Sequence, residues 1–349
     1  MNQFKTLIVG ILLIAVLVIA LLLKIGGKDI DLLKVKTTEV FKPAVIYDMG
    51  GKFDKSFNEG VYNGVQKFVD ETGIEVMEFE VTNATQRQQA MEKFIQRGAT
   101  LILGVGFAQA DAIDKVAEAN PDVMFSIIDV YWLNRPNIRQ YTFKEQEGSY
   151  LVGIAAAMAT KSGTVGFVGG MDVPLISAFE CGYALGIQAT NPEVKLLKNM
   201  TGSTPAAWND PAKGAELAQG QIDRGADIVY QAAGGTGAGV IQATVDAGQL
   251  AIGVDINQNY LAPGQILTSM LKGMDTAAYN TLKDGMSGDF NTDLQNLGLA
   301  EDGVGWALDE HNADLVSNEM KAAIDSASAK IISGEIKVHD YRSDNACPI

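Results

Sequence analysis

From residue 43 onward the chain alternates short apolar, β-branched runs with longer stretches in which apolar positions recur at helical spacing. The runs AVIYD (44–48), IEVMEFE (74–80), TLILGVG (100–106) and VMFSIID (123–129) are separated by patterns that predict helices over 57–72, 84–98 and 108–119. Strand and helix in alternation is the signature of βαβ units, which build a parallel sheet with helices on both faces. After a helix rich in small residues, EQEGSYLVGIAAAMAT (145–160), the alternation restarts: GTVGFVGG, a helix over 176–189, EVKLLKN, a helix over 211–224, DIVYQAAGG, a helix over 239–247, and LAIGVD. Two successive units of one kind predict two similar α/β lobes rather than one long sheet. The remainder, from QILTSMLKGMDTAAYNTLKDGM (265–286) onward, adds a strand and helices that can cross back between the lobes.

A different pattern precedes the fold. Leu7 to Leu23 carry no polar side chain. At about 1.5 Å per residue, this run is at the short end of what spans a bilayer and longer than the usual apolar region of a signal peptide. No small-residue cleavage site follows, and no cysteine near Leu23 offers a place for a lipid. Residues 1–25 are therefore expected to form an uncleaved membrane anchor, with a removed signal segment as the alternative. Lys5 on one side, and Lys24 and Lys28 offset by Asp29 and Asp31 on the other, leave the orientation open. Residues 26–42 are charged and aperiodic and read as a tether.

Composition narrows the classes. With 349 residues, 47% hydrophobic and 20% charged, the chain can bury the cores of two ordinary domains. A net charge of −15 without a basic run argues against nucleic acid, whose binding depends on neutralising phosphates. Cys181, Cys347, His311 and His339 give no zinc-ligand spacing, so no metal and no cofactor is expected. The two cysteines can pair in an oxidising compartment, but the sequence does not place them within bridging distance, and two unrelated buried thiols are the simpler expectation.

In open parallel sheets, ligands bind beyond the carboxyl ends of the strands. Those ends present Asp48, Gly104 to Phe107, Asp129, Gly169 and Gly170, Tyr230 with Gly234 and Gly235, and Asp255. If the lobes meet there, the cleft offers aromatic faces for a flat ring and carboxylates for hydroxyl or N–H donors, as a small-molecule pocket would. Each residue alone also has a bland explanation. Asp and Gly are ordinary turn residues, Ser56 is a candidate helix cap, and Phe57 a candidate hydrophobic staple.

The glycine run AGGTGAGV (233–240) is spaced G-x-G-x-G rather than as a dinucleotide fingerprint, and it has no phosphate-binding lysine. The acidic turn DMGGKFDKSFN (48–58) holds only Asp48 and Asp54, too few carboxylates for metal-assisted hydrolysis. Two late histidines offer no Ser-His-Asp arrangement. No catalytic constellation emerges.

Longer motifs are more specific. DMGGKFDKSFNEGVYNGV, FSIID, EGSYLVGIAA, GFVGGMDVPLISAFECGYALG, DPAKGAELAQGQIDRGADIVYQAAGGTGAGV, AIGVDINQ and ILTSMLKGMD resemble the basic membrane protein (BMP) family, the purine nucleoside receptors of bacterial ABC importers. The similarity covers nearly everything from Pro43 to Val338. It implies a type I periplasmic-binding fold: two doubly wound parallel-sheet lobes, a three-stranded hinge, and an interlobe ligand cleft. The expected limits are 43–145 with about 273–325 for the N-terminal lobe, and about 146–268 with 326–349 for the C-terminal lobe.

Carried over residue by residue, the resemblance implies that Asp48 opens the first loop and Phe57 stacks on one face of the purine, with Asn58 beside it in the motif. Tyr230 stands where the family usually has the phenylalanine of the other face, Asp129 bonds the base, and Gly235, Asp255 and Lys272 surround the ribose. Trp132 is a possible further wall. Two features depart from the family: the lipidated cysteine is absent, and Tyr230 adds a hydroxyl that needs a partner if buried. The expectation is a monomeric, membrane-tethered, extracytoplasmic receptor that is not an enzyme and passes a purine nucleoside to an ABC permease and its ATPase. A nucleoside hydrolase and a sensor without transport are the alternatives.

Overall fold

A computed structural model describes residues 40–349; the expected anchor and most of the tether lie outside the described residues. Among the described residues no helix is long and apolar enough to cross a membrane. The chain forms β1 (Pro43–Tyr47), α1 (Phe57–Thr72), β2 (Met77–Glu80), α2 (Gln86–Gln96), β3 (Leu101–Gly104), α3 (Ala110–Ala119), β4 (Met124–Ile128) and β5 (Ile138–Phe143). It then crosses into α4 (Glu145–Ala159), β6 (Thr164–Met171), α5 (Pro174–Thr190), β7 (Lys195–Gly202), α6 (Pro211–Ile222), β8 (Ile228–Ala232), α7 (Gly237–Asp246), β9 (Leu250–Asp255) and β10 (Ile266–Lys272). The last part comprises α8 (Met274–Ser287), β11 (Gln295–Leu297), β12 (Val304–Trp306) and α9 (Asn318–Ile332).

The strands make two six-stranded sheets, ordered β11-β5-β4-β3-β1-β2 and β12-β10-β9-β8-β6-β7. The two orders match strand for strand, so β4 and β9 hold equivalent places. All pairings are parallel except β12, which runs antiparallel to β10 with Met270 opposite Trp306. β1 and β3 are buried along their whole length because helices cover both sheet faces, which is why they read as unbroken apolar runs. The edge strand β2 instead alternates half-buried and exposed residues.

Three connections join the lobes: 143–145, 272–274 and 297–304. They are tied together, Lys144 N–H donating to Leu297 O at 2.9 Å and Gly273 N–H to Gly303 O at 2.8 Å. The third crossing corrects the expected lobe limit near residue 325. The chain returns to the second lobe at 298–303, and α9 packs on α4 within that lobe. The sequence signal was weak because β11 and β12 are only three residues each. Within the second lobe α4 and α5 approach backbone to backbone. A Cβ on Gly182 would stand 2.4 Å from Gln146 O, so small residues along this seam are a packing requirement.

Candidate ligand-binding cleft

The cleft opens where strand ends of both sheets converge and is lined by residues of both lobes. In the first lobe β1 ends at Asp48, whose carboxylate accepts from Arg87 Nη2 at 3.0 Å and whose N–H donates to Asn58 Oδ1 at 3.0 Å. The turn that follows is organised by Asp54. Its carboxylate accepts from the backbone N–H groups of Ser56, Asn58 and Glu59 and from the Asn58 amide, at 2.9–3.1 Å. Asp54 therefore caps α1, not Ser56 as the sequence suggests. Ser56 is released from that duty, and its Oγ–H donates across the cleft to Asp255. Phe57, the first residue of α1, lines the cavity.

Asp129 follows β4 and Asp255 ends β9, the equivalent strands of the two sheets, and both take left-handed backbone angles, φ 64° and 69°. Short polar residues tolerate that region best, and the turn aims both carboxylates into the cleft. Lys272, at the end of β10, donates to both oxygens of Asp129, at 2.8 and 2.9 Å. Its Nζ also lies 3.1 Å from Glu145 Oε1 and 5.2 Å from the Phe57 ring centroid. Burial works against this ammonium, but Asp129, Glu145 and Asp255 outweigh it and hold its pKa above the ordinary lysine value. Among the described residues, the Ser56 hydroxyl is the one direct hydrogen-bond partner of the Asp255 carboxylate. Burial pushes its pKa up to about 7, with Asp54 and Asp129 adding to the rise and Lys272 and Ser56 opposing it.

Six of the eight anticipated residues, Asp48, Phe57, Asn58, Asp129, Asp255 and Lys272, thus line one cavity. Two do not. Tyr230 sits in the middle of β8 and is fully buried; its hydroxyl lies 3.2 Å from Ser149 Oγ, and its ring packs against Phe167 and Tyr183. Gly235 lies behind Gly234, which lines the cavity, and faces Trp208 O and Asp54. Trp132 is largely exposed and packs edge-on against Tyr131. Lys272, expected with Asp255 around the ribose, has Asp129 and Glu145 as its direct partners.

The aromatic surface of the second lobe comes from Phe179 on α5 and Trp208 in the loop before α6. The indole lies on β6, where a Cβ on Gly170 would come within 2.1 Å of it. Applying the strand-end rule to β7 reaches Trp208, and looking one turn into α5 reaches Phe179. Chemically, the cleft combines aromatic and aliphatic surface with four carboxylates and one ammonium; Asp48 and Asp54 are engaged within the first lobe by Arg87 and by the start of α1, which leaves Asp129, Asp255 and Lys272 as its charged floor.

Two matched α/β lobes joined by three crossings, with a cleft fed by strand ends from both, define a two-lobed binding protein. Over residues 41–342 the sequence matches the Bmp family, ABC transporter substrate-binding proteins described as PnrA-like. A protein from Lactococcus lactis described as the ABC transporter nucleoside-binding protein BmpA is 30% identical, over 87% of this chain and 90% of its own length. An uncharacterised lipoprotein from Pyrococcus abyssi is 34% identical, over 77% of this chain and 69% of its own length. The crystal structure of an ABC transporter solute-binding protein from Aeropyrum pernix superposes with a TM-score of 0.79 at 27% identity, covering 88% of this chain and 95% of its own. The chain belongs to the Bmp family of ABC transporter substrate-binding proteins. It is a binding protein rather than an enzyme, and Asp54 of the acidic turn is spent on capping α1.

Proposed function

We propose that the cleft captures a nucleoside, with a purine nucleoside as the preferred ligand, for delivery to an ABC permease and its ATPase. The observation that carries this reading is the division of the cleft: aromatic rings at Phe57, Phe179 and Trp208 on its walls, and Asp129, Asp255 and Lys272 at its floor. A flat base suits the rings, since stacking on an aromatic face contributes about 1–3 kcal/mol per base. The vicinal hydroxyls of a ribose suit ionised carboxylates, which only accept hydrogen bonds. The nucleoside-binding description of the Lactococcus relative supports the ligand class. Bonds across the cleft, Ser56 to Asp255 and Gln258 Nε2 to Lys55 O at 2.6 Å, mark the surfaces that close on the ligand.

The apolar run Leu7–Leu23 is proposed to hold a monomer at the membrane with both lobes outside the cytoplasm. The bond between Cys181 and Cys347 fits a compartment where disulfides persist. A thermal-shift panel of nucleosides, free bases and sugars tests the ligand class. A ligand at 100 times its dissociation constant stabilises by about 2.7 kcal/mol, and purine nucleosides are expected to give the largest shifts. Shifts from free sugars, with none from nucleosides, would overturn the reading.

A further inference from the structure

The end of the chain reaches the binding site from behind. Beyond α9 the chain runs back to α5, where Cys347 is bonded to Cys181, joining residues 166 apart in sequence. The two thiols read from the sequence as unrelated are therefore one crosslink. Just before it, the short turn Tyr341–Ser343 packs on α5 and carries Arg342.

The Arg342 guanidinium makes four connections, the longest from Nη2 to Gln146 Oε1 at 3.4 Å. It forks onto Asp340, Nε to Oδ1 at 2.9 Å and Nη2 to Oδ2 at 3.0 Å. Nη2 donates to Phe143 O at 2.9 Å, at the first interlobe connection. Nη1 lies 3.0 Å from Glu145 Oε2. Glu145 is completely buried, and its other oxygen is the one beside Lys272. An alternating series of charges, Asp129, Lys272, Glu145, Arg342 and Asp340, therefore runs from the cleft floor to the C-terminal strap.

Without Arg342 a single ammonium would serve two buried carboxylates. An unpaired charge in the interior is strongly disfavoured, so Glu145 would compete with Asp129 for Lys272 and draw it from the floor of the site. The Phe143–Gln146 connection would lose a tether in the same change. The strap has no long helix or strand, and half-buried residues 338–342, with Ile336 and Val338 packed on the core, bring it back to the second lobe; its end is fastened by the bond to Cys181, which adds to the contacts that keep Arg342 seated.

We propose that Arg342 is a positioning residue for ligand binding, and that the Cys181–Cys347 disulfide holds it in place, coupling ligand capture to the oxidised state of the strap. This rests on reading the cleft as a nucleoside site.

The test is calorimetry with inosine on the full chain, comparing wild type, Arg342→Gln, Arg342→Lys and the Cys181→Ser/Cys347→Ser pair. Arg342→Gln is expected to weaken inosine by about tenfold or more, as removal of one partner from a buried pair should. Arg342→Lys recovers part of this, restoring the charge but neither the fork onto Asp340 nor the bond to Phe143 O. The cysteine pair also weakens binding, and Arg342→Gln adds little in that background because both changes act through one placement. Lowered melting temperatures with unchanged inosine affinity, in either the Arg342→Gln or the cysteine variant, would overturn the proposal. If wild type binds no nucleoside, the reading of the cleft fails instead. Hydrogen exchange of the ligand-free protein then judges the strap: faster exchange over residues 143–148 in Arg342→Gln and in the cysteine variant supports it, and unchanged exchange rejects it.

Discussion

Replacing Asp255 by asparagine is expected to stabilise the ligand-free protein while impairing its function. Asp255 is buried, carries a pKa of about 7 against an ordinary 3.8, and has one direct donor, Ser56 Oγ–H. An acid whose pKa is raised on folding contributes stability that is present below the unfolded pKa and is lost as pH rises through the folded value. Here the loss accumulates from about pH 4 to pH 7. A difference of about three pKa units corresponds to about 4 kcal/mol, with about 2 kcal/mol already lost at pH 5. Asparagine preserves the volume, tolerates φ 69°, keeps an acceptor for Ser56 and carries no charge. Thermal unfolding of ligand-free wild type and Asp255→Asn at pH 5 and pH 8 measures the effect. The variant's advantage is expected to be larger at pH 8 by about 2–3 kcal/mol, roughly 5 °C in melting temperature. A difference in stability that does not change with pH would refute the placement of a charged, poorly solvated Asp255 in the cleft.

Phe57→Ala should weaken nucleoside binding by about tenfold or more through loss of one aromatic face, measured by calorimetry; a lowered melting temperature with unchanged affinity would show a staple instead. Lys272→Met leaves Asp129 and Glu145 facing each other without their shared cation, and should cost about 3–5 kcal/mol of stability in denaturant unfolding. A loss below about 1 kcal/mol, the level of surface pairs, would contradict its buried pairing. Trp208 should report ligand directly, its fluorescence responding to nucleoside in wild type and the response disappearing in Trp208→Phe.

Much of this arrangement is legible from the chain because a parallel sheet buried on both faces writes continuous apolar runs, and the site sits where those runs stop. Asp48, Asp129 and Asp255 are found by that rule alone. Tyr230 misleads because β8 continues past it through Gln231 to Ala232, so a residue taken for the strand end is its centre and packs into the core. Trp208 escapes because β7, an edge strand with the charged residues Lys195 and Lys198, gives a weak strand signal and its end attracts little notice. Glu145 and Arg342 are not legible at all. Their pairing joins residues far apart in sequence, and nothing local marks either as a partner of Lys272. The third lobe crossing is obscured for a related reason, since three-residue strands carry too little periodicity to be recognised.

The most direct test of nucleoside capture is calorimetric titration of the wild-type protein with inosine, 2′-deoxyinosine and hypoxanthine. A floor built to accept hydrogen bonds from ribose hydroxyls should reject ligands that lack them, because its buried acceptors are then left without donors. Inosine is expected to bind at least about a hundredfold more tightly than hypoxanthine, with 2′-deoxyinosine between them. Equal affinity for inosine and hypoxanthine would contradict the assignment of Asp255 and Lys272 to the ribose, and no binding of either would contradict nucleoside capture itself.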